Sequence, residues 1–213
     1  MLDALLFAQT PSILKSLYPE CIWNVPSESN TLYLTFDDGP QPEITTFVLD
    51  TLSTYNAKAT FFCVGKNIEK HPLLFQRIIK EHHSIGNHTY DHVNGWKTEN
   101  SKYYENIELC RNSLLENAQH LKTNLFRPPY GKLTPAQYKK LKNEHRIVMW
   151  DVLSYDYDLS INPNKVLQNV LDYAENGSII VMHDSLKAKP NVEYALPLIL
   201  EHFSNKGFRF AAL

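Results

Sequence analysis

Cysteine is scarce in this chain of 213 residues: only Cys21, Cys63 and Cys110 occur. An odd count with no metal-type spacing argues against a disulfide framework. Cys63 lies in the apolar run Thr60-Phe61-Phe62-Cys63-Val64 and Cys110 in a helical stretch, so all three are read as small buried hydrophobes. A basic excess is also missing. The net charge is −2 and the pI about 6.5, which points away from a nucleic-acid partner. No stretch approaches the ~20 apolar residues of a membrane helix, so no membrane span is expected. The start, Met1-Leu2-Asp3-Ala4-Leu5-Leu6-Phe7-Ala8-Gln9, lacks a positive n-region and has a short apolar run, unlike a secretory signal. As encoded, the expected compartment is cytoplasmic, with export left open. There is no repeat, linker or low-complexity stretch. What is present, 43% hydrophobic and 21% charged residues, suffices for one large folded domain. Twelve tyrosines and ten phenylalanines supply core and, for some, the wall of a groove for a flat ligand.

Strand-like and helix-like segments alternate. Short apolar runs fall at Thr31–Phe36, Ala59–Val64, Ser84–Asn87, Leu125–Arg127, Arg146–Trp150, Ser178–His183 and Phe208–Ala211. Between them, helical spacing joins Phe47, Val48, Leu52 and Tyr55, then Leu74, Phe75, Ile78 and Ile79, then Ile107, Cys110, Leu114 and Leu115. Thr134-Pro135 predicts a capped helix start. Val166, Val170, Leu171 and Ala174 mark a helix before Gly177, and Leu198, Ile199 and Phe203 one before Gly207. Such alternation implies parallel strands with helical crossovers. About seven units in one domain favour a barrel over an open sheet. The α/β fold expected is therefore a distorted (β/α)7-type barrel of mostly parallel strands, spanning 31–213, with residues 1–30 as a lead-in packed on it.

Barrels of this kind collect their chemistry at the C-terminal ends of the strands. Asp37 and Asp38 end the first run, inside Thr35-Phe36-Asp37-Asp38-Gly39-Pro40. His88 and His92 follow the third run, Arg127 ends the fourth, Asp156 lies a few residues past Trp150, and His183 ends the sixth. Strand neighbours point to opposite sides, so the two aspartates can take different tasks, one ligating a metal and the other handling protons. Alone, Asp-Asp-Gly reads equally as an acidic turn. His88-Thr89-Tyr90-Asp91-His92 puts two imidazoles four residues apart, on one face if the segment is helical. With Asp38 they form a His₂Asp set that leaves a coordination position open, as catalytic metal sites do. Zinc suits these ligands best, and cobalt, iron or nickel also fit. His71, His82, His83, His120, His145 and His202 are read as surface or satisfied core residues.

Five segments, in order, carry a resemblance to a known family. They are Thr35-Phe36-Asp37-Asp38-Gly39, His88-Thr89-Tyr90-Asp91-His92, Arg127-Pro128-Pro129-Tyr130-Gly131, Ser154-Tyr155-Asp156-Tyr157 and Ile179-Ile180-Val181-Met182-His183. The chain resembles the polysaccharide deacetylases, carbohydrate esterase family 4 or the NodB-homology domain. The resemblance implies metal-dependent removal of acetyl groups from an N-acetylglucosamine-containing glycan or oligosaccharide. It implies Asp37 as general base, Asp38, His88 and His92 as metal ligands, and Arg127 as the partner that orients Asp37. His183 would be the general acid, tuned by Asp156. The backbone N–H of Tyr130, on a loop stiffened by Pro128 and Pro129, would help form an oxyanion hole. Val181 and Tyr157 would line the acetyl pocket and sugar groove. Bland roles stand beside these: a barrel-end ion pair for Arg127, one acid among Asp151 and Asp158 for Asp156, a strand end for His183, packing for Tyr157. The family often carries Asp at Leu153, Trp at Tyr157 and Leu at Val181, departures that bear on substrate more than on reaction. The competing functions are an O-acetyl esterase of the xylan type and a glycan-binding protein without turnover. The expected partner is an acetylated glycan, and the expected working unit a monomer.

Overall fold

A computed structural model describes residues 8–213. The opening run read for export signals lies outside the described residues except for Ala8 and Gln9. Eight strands form one sheet: β1 (Thr31–Asp37), β2 (Ala59–Cys63), β3 (Ser84–Asn87), β4 (Leu125–Phe126), β5 (Arg146–Ile147), β6 (Val152–Leu153), β7 (Ile179–His183) and β8 (Arg209–Phe210). Seven lie in the order β5-β4-β3-β2-β1-β7-β6, and β8 pairs with the beginning of β1 through Thr31–Arg209 and Leu32–Phe210. Every strand pairing is parallel. Parallel strands need covered faces, and their sequences are accordingly near-continuously apolar. On β1 the alternation is informative: Leu32, Leu34 and Phe36 join the core beneath the helices, while Tyr33 packs with Phe62, Leu125, Val148 and Ile179 on the other side of the sheet. Thr35 and Asp37 share the side of Tyr33 by the two-residue period of a strand.

The helices are α1 (Ser12–Leu17), α2 (Pro42–Thr54), α3 (Gly65–Lys70), α4 (Pro72–Lys80), α5 (Asn100–Asn117), α6 (Pro135–Leu141), α7 (Pro163–Leu171) and α8 (Lys189–Asn205). Proline at the first turn starts α2, α4, α6 and α7, where its missing N–H costs nothing. Thr134 caps α6 in a reciprocal box with Gln137. Ile44, Val48, Leu49 and Leu52 of α2 pack with Ala195, Leu196, Ile199 and Phe203 of α8 in the largest apolar cluster.

The expected distorted (β/α)7-type barrel is borne out, as a single domain whose strands curl part of the way round with helices outside. The differences are local. The run Arg146–Trp150 is not one strand: β5 ends at Ile147, and a separate β6 begins at Val152. Short α1 and α3 carry no strong periodicity and are not apparent from the sequence. Residues ahead of β1 pair with the rest: Ile22 bridges Val148, Asn24 bridges Ser178 and Gln9 bridges Val152. The segment holding Ile22 and Asn24 therefore touches both the β5 side and the β7 side of the curled sheet. All three cysteines are buried and free.

Candidate active site

The C-terminal ends of β1, β3, β4 and β7 converge on a cavity of about 690 Å³ whose walls include Asp37, Asp38, His88, His92, Tyr130 and His183. Asp37 terminates β1 and is buried. Strict alternation would send Asp38 to the other face. Its φ of 85° breaks the extended geometry, and both carboxylates line the same cavity. Strand period alone thus misassigns the side on which Asp38 lies.

The two histidines are not on a helical turn. Residues 88–92 form a loop in which Thr89 and His92 hold φ of 62° and 55°, a region that non-glycine residues enter only when the surroundings compel it. Two buried amides supply that compulsion. Asn87 Oδ1 accepts from the Thr89 N–H at 2.9 Å, and Asn106 Oδ1 accepts from the N–H groups of Tyr90 and Asp91 at 2.8 and 2.9 Å. The pair nevertheless meets at one place. His92 Nε2 lies 3.2 Å from Asp38 Oδ1, and His88 Nε2 lies 3.8 Å from it. Ligand atoms of Asp38, His88 and His92 all fall within 4.8 Å of one another, the one such group among the described residues.

These residues fit a metal ion. Asp38 Oδ1 is buried without a hydrogen-bond partner among the described residues, an expensive state for a carboxylate oxygen unless a cation balances it. His88 Nδ1 is 2.8 Å from the Arg127 carbonyl oxygen. A carbonyl only accepts, so Nδ1 carries the proton and Nε2 presents its lone pair to the cluster. Burial is the largest influence on His88 and holds its imidazole down to about 4, in the neutral form that ligation requires.

Arg127 is fully buried and spends its whole guanidinium on the site. Nη1 donates to Asp37 Oδ1 and to Thr35 Oγ1, each at 2.7 Å, while Nε and Nη2 donate to the carbonyls of Val148 and Met149 at 3.2 and 2.9 Å. Its planar group lies 4.2 Å from the Phe62 ring centroid. Gly86 makes room for that ring, since a Cβ there would stand 2.3 Å from Phe62 Cδ1. Burial pushes Asp37 upward, but the charge of Arg127, aided by His88 and His183, outweighs it and holds the carboxyl below the ordinary range. Asp37 is an ionised acceptor at neutral pH.

His183 ends β7 in register with Asp37. Asp156, wholly buried, takes both its ring and its backbone: Nδ1 lies 2.7 Å from Asp156 Oδ1, and the His183 N–H donates to Oδ2 at 2.7 Å. Burial alone would depress this imidazole; Asp156 reverses the balance and raises it to about 9. The neighbouring acids are engaged elsewhere, Asp151 with Lys15 and Ser178, Asp158 with Ser160. Tyr157 sets its ring edge-on to His183 at 5.0 Å, and Val181 and Leu153 line the same cavity. Tyr130 occupies a φ of 61° on the short helical turn Pro129–Gly131 and brings its ring 4.7 Å from that of His92.

Of the residues singled out from the sequence, Asp37, Asp38, His88, His92, Tyr130, Tyr157, Val181 and His183 line one cavity, Arg127 and Asp156 bond to Asp37 and His183 from behind it, and Pro129 enters only as the residue before Tyr130. The residues that the structure adds are Thr35, Asn87, Asn106 and Asp184. Thr35 lies inside the first motif; Asn87 and Asn106 are single buried amides with no pattern to betray them. Asp184 follows His183 and accepts from the Gly39 N–H at 2.9 Å and the Thr45 hydroxyl at 2.5 Å. It ties the turn after Asp38 to β7.

Strand-end chemistry on a curled parallel sheet, beside a His₂Asp cluster that fits a metal ion, defines a β/α barrel with a candidate active site. The family model described as polysaccharide deacetylase matches residues 24–149. A peptidoglycan-N-acetylglucosamine deacetylase of Bacillus cereus is 32% identical over 199 residues, covering 90% of either chain. A crystal structure of a peptidoglycan N-acetylglucosamine deacetylase, in complex with 4-naphthalen-1-yl-N-oxidanyl-benzamide, superposes with a TM-score of 0.86 at 34% identity, over 96% of this chain and 95% of the other. A bifunctional xylanase/deacetylase of Pseudobutyrivibrio xylanivorans is 31% identical over 84% of this chain and 29% of its own length. The chain belongs to the polysaccharide deacetylase family.

Proposed function

We propose that the protein is a metal-dependent hydrolase that removes N-acetyl groups from an N-acetylglucosamine-containing polysaccharide or oligosaccharide of the peptidoglycan or chitin kind. The observation that carries this reading is that an ionised Asp37 and a protonated His183 line one cavity, beside Asp38, His88 and His92. An amide needs a base for the attacking water and an acid for the departing amine, and the two groups are held in those states by Arg127 and Asp156. The names of the relatives above support the substrate class.

In this reading Asp38, His88 and His92 hold the metal, with zinc the first choice and cobalt, iron or nickel compatible with the same ligands. When bound, such an ion polarises a carbonyl and makes water acidic enough to react near neutral pH. Asp37 takes the proton from the attacking water at its Oδ2, since Oδ1 is occupied by Arg127. Arg127 keeps that carboxylate ionised and fixed. The Tyr130 backbone N–H, beside Pro129, contributes to stabilising the oxyanion. His183 donates from Nε2 to the leaving nitrogen while Asp156 holds Nδ1. Tyr157 and Val181 border the acetyl group, and Leu153 the sugar. Residues 31–213 form the catalytic domain with 1–30 as its lead-in, and the working unit is a monomer.

A second reading, an O-acetyl esterase on xylan, is favoured by the xylanase/deacetylase relative. Acetate release from chitooligosaccharides and from acetylated xylan, with and without chelator, tests both. Chelator-sensitive release from the former alone is the expected result. Release from neither would leave a glycan-binding protein and overturn the proposal.

A further inference from the structure

Asp38 is the candidate ligand that strand alternation sends to the wrong face, and its backbone is held from several directions. Asp184 grips both of the peptides that flank it. The Asp184 backbone N–H donates to the Asp37 carbonyl at 3.0 Å, on the peptide before Asp38. The Asp184 side chain accepts through Oδ1 from the Gly39 N–H at 2.9 Å, on the peptide after it. The carbonyl of that second peptide, belonging to Asp38 itself, accepts from Asn67 Nδ2 of α3 at 2.7 Å. Both torsions at the Asp38 Cα are thereby pinned, since each is set by the orientation of a flanking peptide.

Asp184 is anchored in turn. It is wholly buried, and its Oδ2 accepts from the Thr45 hydroxyl at 2.5 Å, while the Thr45 oxygen accepts from the Gln41 N–H at 2.8 Å. Gly39 permits the close approach, because a Cβ there would overlap the Asp184 carboxylate. No cationic side chain pairs with this acid among the described residues. A buried acid without a cation is costly. So is a φ of 85° at a residue other than glycine, which persists only where the surroundings over-determine it. The two costs meet at one contact, and its product is the placement of Asp38 Oδ1. That oxygen is buried without a partner among the described residues and lies 3.2 Å from His92 Nε2 and 3.8 Å from His88 Nε2.

We infer that Asp184 and Asn67 are positioning residues for the metal ligand Asp38: they fix the two peptides around it and so hold its carboxylate beside His88 and His92 in advance of the ion. The inference rests on the metal-dependent reading above, and its test reads metal binding instead of turnover. Metal-free protein is titrated with Zn²⁺ in competition with a colorimetric chelator, and its urea unfolding is followed without metal. Asp184→Ala removes the acceptor and the charge together. Asp184→Asn removes the charge but keeps an acceptor for the Gly39 N–H. Asn67→Leu removes the donor without a change of charge, at a half-buried position, and keeps the test decisive if Asp184→Ala fails to fold. Zn²⁺ affinity should fall about 10- to 100-fold in Asp184→Ala and in Asn67→Leu and stay near native in Asp184→Asn. With Co²⁺ in place of Zn²⁺, the visible bands should shift in the first two variants and not in the third. Residues that merely brace the fold would lower the urea midpoint and leave Zn²⁺ affinity unchanged. That result in Asn67→Leu, or an Asp184→Asn protein as weak in binding as Asp184→Ala, would overturn the inference. A native chain that takes up no Zn²⁺ would refute the metal reading and this inference with it. Zn²⁺ uptake that depends on Asp184 and Asn67, without acetate release from the native chain, would support the inference and refute the deacetylase reading.

Discussion

Replacing Asp156 by Asn probes the acid side of the site. Against the pull of burial, Asp156, with smaller help from Asp38 and Asp37, raises His183 from 6.5 to about 9, an interval equivalent to roughly 3 kcal/mol. The amide can still accept from Nδ1–H through its one oxygen, so the ring stays in place. It lacks the charge that opposes burial, so His183 returns to its ordinary value or below. At pH 8 the protonated fraction then falls about thirtyfold, whereas at pH 6 it changes by less than about twofold. The assay is kcat/KM for acetate release as a function of pH. The basic limb should move down by about two pH units or more. A cation held by Asp38 offsets that carboxylate's share of the elevation in both proteins, so the displacement is the quantity to read. Stability gives an independent check. His183 is raised in the folded state, so its contribution is full below pH 6.5 and is lost as the pH climbs through about 9. The variant's melting deficit should be largest near pH 6 and shrink above pH 9.5, leaving a residue from the lost acceptor for the His183 N–H. A basic limb that stays where it was would refute the assignment of His183 as an acid tuned by Asp156.

Asp37→Asn should retain the fold by circular dichroism and lose about 10²–10⁴ in kcat, the usual worth of a general base; near-native turnover would remove Asp37 from that role. Chelation should abolish acetate release, and His92→Ala should lower metal content per chain by elemental analysis, whereas full metal occupancy in that variant would disprove its ligand role. Arg127→Met strands the Asp37 carboxylate in a buried site and should cost ~3–5 kcal/mol in urea unfolding, with Arg127→Lys recovering only part because it lacks the planar fork. Gly39→Ala places a Cβ 1.9 Å from Asp184 Oδ2, and it should destabilise by ~1–3 kcal/mol through forced displacement, seen as a lower melting temperature.

The layer architecture and the site's location were legible because both depend on local pattern. Apolar runs ending in Asp37, Arg127 and His183 declare buried parallel strands whose C-terminal ends carry charge. Thr134-Pro135 declares the start of α6. What stayed hidden depends on groups distant in sequence. The break between Ile147 and Val152, with a bend at Asp151, divides β5 from β6 because the two strands lie at opposite ends of the strand order, β6 beside β7 and β5 beside β4. The loop carrying His88 and His92 has helix-compatible spacing, and partners distant in sequence hold it out of a helix: the side-chain amide of Asn106 on α5 bonds Tyr90 and Asp91, and the Gly65 and Lys66 N–H groups bond the Thr89 and Tyr90 carbonyls. The side on which Asp38 lies is set by one backbone angle, which residue type predicts poorly.

The central strand also imposes an order of events. Thr35 donates to Ile180, 145 positions further along, at 2.8 Å, and β8 lies against the beginning of β1. During synthesis, β1 emerges with its proton acceptor well ahead of β7 and β8 and must wait for all the intervening chain before either late neighbour exists. Until then it offers an apolar strand with an open edge, a hazard for self-association. Functional competence in a nascent chain of this protein therefore waits on β7, the strand that carries His183.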